Sequence, residues 1–80
     1  MPSAKVASLT RQDIVDAART LEWSKRMTKW STVVEGKELP ARPLILHAAG
    51  VAPNDATNSH QAIAILKDFG FETRYEGKPA

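Results

Sequence analysis

Two prolines three residues apart, Pro40 and Pro43, stand directly before the apolar run Leu44 to Ala49, and they limit what this chain can fold into more than any other feature. Proline has no amide hydrogen and its ring clashes with a preceding helical turn. Two so close together fit a helix only in its first turn, where amides have no partner anyway. A helix therefore begins near Pro40 or Ala41. The residues before it must be extended, because the position ahead of a proline is pushed away from helical geometry. Leu44, Ile45, Leu46, Ala48 and Ala49 cover most of the helix circumference and leave mainly the Pro43 and His47 side free. A helix apolar nearly all round is one on which others pack. Gly50 followed by Val51 supplies the left-handed residue and the apolar contact of a C-terminal cap.

The segments around this helix read in the same way. Trp30 to Val34 alternates and is rich in β-branched residues, and Glu35-Gly36 offers the positive φ of a tight hairpin turn. Lys37 to Leu39 is then the returning strand. Upstream, Thr10 with Asp13 forms a capping box, and Leu9 with Ile14 has the spacing of a hydrophobic staple. From there to about Glu22, Ile14, Val15, Ala17, Ala18 and Leu21 share one helical arc. Trp23 to Thr28 lacks periodicity and reads as a connecting loop. Val51 to Asn58 is a polar loop around the turn signal Pro53-Asn54-Asp55. At eight residues it is longer than the turn of a helix-turn-helix. Asn58 with Gln61, or Ser59, can cap a third helix whose buried arc is Ala62, Ile63, Ile65, Leu66 and Phe69. Gly70-Phe71 stops it, and Phe71 to Tyr75 alternates as a third strand.

The expected fold is a single small α+β domain in the order α-β-β-α-α-β, with a three-stranded antiparallel sheet packed by helices. Residues 1–8 are expected to be a flexible arm, 9–75 the domain and 76–80 a flexible tail. No internal repeat is expected. Eighty residues suffice for one core only, since a chain of this length buries about 60% of its unfolded surface. No cysteine is present to reinforce that core, which suits a reducing cytoplasm, where the chain is expected to reside. The opening MPSAKVASLT has no signal-peptide run, and no segment has the ~20 apolar residues of a membrane span, so no membrane partner is expected.

Catalytic signatures are missing. There is no cysteine nucleophile, nucleophile elbow, phosphate loop or HExxH pattern, and His47 and His60 lie on different predicted helices. The expectation is a non-enzymatic binding domain without cofactor or metal. Eleven Lys and Arg against nine Asp and Glu give a formal charge of +2, which permits a polyanionic partner without requiring one. The local pattern is more informative. Lys25, Arg26 and Lys29 fall within five residues beside Trp30, the combination that neutralises phosphates and offers an indole, although a tryptophan opening a strand in so small a protein is first of all core. His60 in the first turn of the third helix is a solvated residue or, with Asn58 and Ser59, a contact for a phosphate or a base edge. Lys67 continues that helix's exposed arc past Ala64. Arg42 sits in a first turn, where a cation opposes the helix dipole, so it needs a partner: Glu38 or Asp55 internally, or an external phosphate. These residues describe a nucleic-acid-binding domain, with duplex DNA the favoured ligand. The alternative is a protein-interaction or inhibitory module, homodimeric or with another partner, using an aromatic patch at Trp23, Met27 and Trp30.

Between Trp30 and Phe71 the chain resembles the N-terminal head module of modification-dependent HNH restriction endonucleases from actinomycetes. The resemblance is carried by Val33 in an alternating strand, Gly36 at the turn, Leu39-Pro40, Arg42 two residues later, the apolar helix Leu44 to Ala49, and Leu66 to Gly70-Phe71. Arginine stands at 42 where lysine is commoner, and the loop PNDATN lacks the phenylalanine and glycines of the pattern. The resemblance covers about half the chain and implies a restriction-associated accessory domain in DNA recognition, carried over only to Arg42 and the start of the third helix.

Overall fold

The structure, a computed structural model, describes residues 4–24 and 26–79. The described chain runs α1 (Ala4–Ala7), α2 (Arg11–Thr20), β1 (Trp30–Val34), β2 (Lys37–Pro40), α3 (Ala41–Ala49), α4 (Ser59–Asp68), β3 (Glu72–Tyr75) and β4 (Lys78–Pro79). The four strands form one antiparallel sheet in the order β2-β1-β3-β4. None of the described helices is long and apolar enough to cross a membrane.

The helix boundaries follow the local chemistry. Thr10 caps α2 through a full capping box with Asp13, and Asn58 caps α4 through one with Gln61. In α3, Pro40 is the N-cap residue, so neither proline interrupts a helical hydrogen bond. Gly50 ends α3 at φ 67° while the Val51 amide donates to the Leu46 carbonyl. Gly70 at φ 84° and the Phe71 amide donating to the Leu66 carbonyl repeat the device after α4. The core collects Ile14, Leu39, Leu44, Ile45 and Leu66, all buried, and α3 lies between α2 and α4 on one face of the sheet.

The fold class is α+β, but the three-stranded sheet and the order α-β-β-α-α-β are corrected at both ends. Ala4–Ala7 is helical and puts Val6 in the core at 1% exposure. One buried valine in four residues is too little periodicity to read, and the anchor is a tertiary contact with α3. At the other end, Glu76-Gly77 turns the chain into β4. Glu35 and Gly36 have φ 52° and 79°, and Glu76 and Gly77 have 52° and 82°, so the two turns share a backbone conformation. The sequence carries the recurrence openly, as Thr32-x-x-Glu35-Gly36-Lys37 and Thr73-x-x-Glu76-Gly77-Lys78. The expectation of no internal repeat is corrected accordingly.

Register fixes what each sheet face presents. Thr32 pairs with Leu39 and Thr73, and all three are buried beneath the helices. The Thr32 hydroxyl donates to the Glu72 carbonyl, which satisfies a polar group that would otherwise destabilise the core. On the opposite face, Ser31 donates to Glu38, and Arg74 bridges Glu38 and Glu72. That face carries two acids and one base around Val33. It is a poor match for a polyanion.

Candidate nucleic-acid interface

The loop between α2 and β1 is fastened at several points. The Trp23 indole N–H donates to the Arg26 carbonyl at 3.4 Å, the Thr28 hydroxyl to the Trp30 carbonyl at 2.6 Å, and the Glu76 amide to the Lys29 carbonyl at 2.7 Å. The last bond ties the basic loop to the turn of the second hairpin, a connection with no counterpart in sequence spacing. Lys25 falls outside the described residues. Arg26 and Lys29 are exposed and, with Met27, Thr28, Glu38, Glu76 and Gly77, line an open hollow of about 500 Å³. Two carboxylates in that hollow moderate the field of the two cations.

Trp30 points to the helix side of the sheet, half-buried and packed against the core as its position at the head of a strand requires. Its ring meets the His60 imidazole edge-on, with centroids 5.5 Å apart, and the Tyr75 ring at 4.6 Å. The His60 contact joins two segments thirty residues apart: the basic loop ending at Lys29, and the first turn of α4. Within that turn the Asn58 side chain accepts from the Gln61 amide and Gln61 accepts from the Asn58 amide, both at 2.9 Å, so Asn58 is a cap first. Ser59 is half-buried, His60 exposed. The amides of the first helical turn have no intrahelical acceptor. Lys67, also exposed, lies at the far end of the same helix.

Arg42 is placed differently. Its guanidinium donates to the carbonyls of Thr57 at 2.7 Å, Pro53 at 2.8 Å and Asp55 at 3.0 Å. The internal partner expected for it is therefore the loop backbone, not the carboxylate of Glu38 or Asp55. The Asp55 carboxylate accepts from the Thr57 amide and hydroxyl, closing the turn that presents those carbonyls. A planar fork satisfies three convergent acceptors in a way a lysine cannot, which accounts for arginine at this position.

The aromatic residues of the alternative reading line three different places. Trp23 shares a hollow of about 390 Å³ with Pro43, Leu46, Val51 and Pro53, Met27 lines the Glu38 hollow, and Trp30 faces His60. His47 of α3 shares a hydrogen bond of 2.9 Å with Thr20 of α2. Among the described residues no three His, Asp or Glu side chains gather as a metal site needs.

Sequence reasoning missed Tyr75 and Lys78. Both belong to the second Glu-Gly-Lys turn, and its recurrence was the available signal. No family model, curated protein or solved structure matches the chain.

Proposed function

We propose that this chain is a non-enzymatic nucleic-acid-binding domain that engages duplex DNA through Arg26, Lys29 and the first turn of α4, with Lys67 extending the contact along the helix. The Trp30–His60 contact carries the reading, because it links the strand that follows the basic loop to the first turn of α4. Cations there would neutralise phosphates, and the amides and side chains of Ser59 and His60 would set register on the backbone. On the sheet face around Val33 the acids outnumber the base, and Glu38 of that face also borders the hollow of Arg26 and Lys29, where it weakens the attraction for phosphate. Arg42 takes no part in the contact; it holds the loop that leads into α4. The resemblance of residues 30–71 to a restriction-associated head module agrees with this proposal.

Fluorescence anisotropy with a labelled duplex of arbitrary sequence tests it. With three or four phosphates neutralised, affinity should fall roughly 40- to 150-fold between about 50 and 200 mM salt. No binding at the lower salt, or binding indifferent to salt, would remove the proposal.

A further inference from the structure

The two hairpins are related by a local two-fold axis through the Thr32–Thr73 pair. Such an axis sends Ser31↔Arg74 onto Val33↔Glu72, and both pairings are present. It sends Val34, Glu35, Gly36 and Lys37 onto Tyr75, Glu76, Gly77 and Lys78, and it keeps each residue on its own sheet face.

The first hairpin uses these positions to hold the C-terminal end of α2. Lys37 donates to the carbonyls of Ala18 at 3.3 Å and Leu21 at 3.1 Å, two acceptors that the helix itself leaves open. Glu35 forms a two-pronged ion pair with Arg19 in the last turn of α2, at 2.9 and 3.1 Å. Val34 is 1% exposed. At the second hairpin the Glu-Gly-Lys turn is repeated with tyrosine in place of Val34, and no helix end lies on it among the described residues. Among the described residues Lys78 donates to no carbonyl and Glu76 closes no ion pair, although Arg26 and Lys29 share its hollow, while Tyr75 is 39% exposed beside the half-buried Trp30. Tyr75 pairs with both Trp30 and Lys78, so indole, phenol and ammonium form one row across three strands.

We propose that the β3–β4 hairpin is a docking site for the C-terminal turn of an amphipathic helix from a partner protein, gripped as α2 is gripped by the β1–β2 hairpin. Lys78 takes the last carbonyls of that helix. Glu76 pairs with a basic residue in its last turn, and Tyr75 with Trp30 receives its apolar side. The symmetry of the two turns identifies this occupant: the covered copy shows which ligand chemistry such a turn holds.

A direct probe is the α2 sequence itself, residues 10–22 as a synthetic peptide, made helical by a Gln12→Lys change joined to Asp16 through a lactam. Titrated into the isotope-labelled full chain, it should shift the amides of Tyr75, Gly77 and Lys78 and the Trp30 indole. Glu76→Arg should weaken binding about threefold, Lys78→Met by a similar factor, and a peptide carrying Arg19→Glu should recover affinity for the Glu76→Arg chain. DNA affinity of the Lys78→Met chain should stay within about twofold while peptide affinity falls, so the two readouts report different residues even though both ligands meet Trp30. Four results would overturn the proposal: no shifts at about 1 mM helical peptide, shifts confined to α3 and the first hairpin, charge reversal without effect, or the same residues shifting with chain concentration alone, which would assign the face to a second copy.

Discussion

Replacing Arg42 by methionine keeps most of the aliphatic stem and removes the guanidinium, and the outcome decides what this residue is for. Three carbonyls lose a charged donor: Thr57, Pro53 and Asp55. A hydrogen bond to a charged group contributes about 1.5–3 kcal/mol, but water can reach the exposed Pro53 side, and bonds sharing one donor do not add. The part-buried Thr57 and Asp55 contacts dominate, so a loss of about 2–3 kcal/mol is expected. For a domain of this size that is a large share of a total near 4–12 kcal/mol, and it should lower the melting temperature by roughly 10–20 °C. Thermal and urea unfolding followed by far-UV circular dichroism read this directly. Arg42→Lys should recover less than half the loss, because one ammonium cannot reach three acceptors in a plane. A melting temperature within about 2 °C of the parent, together with lost DNA affinity, would refute the reasoning and assign Arg42 to an external phosphate.

Other perturbations test other parts of the account. Asn58→Ala removes the capping box of α4 and should cost about 1 kcal/mol in urea unfolding, with DNA affinity falling further than helix stability alone explains if the first turn is a contact. Leu44, fully buried in α3, should cost about 2–5 kcal/mol when truncated to alanine, against under 0.5 kcal/mol for the exposed Ala64→Ser in α4. The hydrogen bond from Arg19 holds the Glu35 carboxyl below its ordinary range and raises Arg19 further above its own. A carboxyl depressed by folding stabilises the native state above its unfolded pKa and loses that contribution as pH falls through its folded value. Glu35→Gln should therefore flatten the acid limb of the stability curve below about pH 4.5 and leave the alkaline limb unchanged, and an unaltered acid limb would contradict the assignment.

Most of the fold was legible because its boundaries are set by residues with one local use. Pro40 and Pro43 start α3, Gly50 and Gly70 end helices, and two capping boxes open them, all effects contained within a few residues. The elements that escaped depend on distant partners. Val6 anchors four helical residues only because α3 offers a surface, and β4 is two residues long and visible only by comparing its turn with the earlier one. The candidate surface divides the same way. Sequence supplied the cations and the helix start as separate margins, but nothing in spacing relates Trp30, the residue after Lys29, to His60; the packing of Trp30 against the core brings those two rings together. Arg42 shows the opposite case. Its need for a partner was readable from the helix dipole, whereas three backbone carbonyls leave no trace in side-chain chemistry.

The central claim is that the basic loop and the first turn of α4 form one nucleic-acid-binding surface around Trp30. An amide chemical-shift titration of the isotope-labelled chain with a short DNA duplex at low salt tests it most directly. The account predicts progressive shifts at Arg26, Lys29, Ser59, His60 and Lys67 together with the Trp30 indole, while the Arg42 side chain and the acidic sheet face at Val33 and Glu72 stay in place. Shifts centred on that acidic face, or on the loop held by Arg42, would contradict it, as would no shift at all.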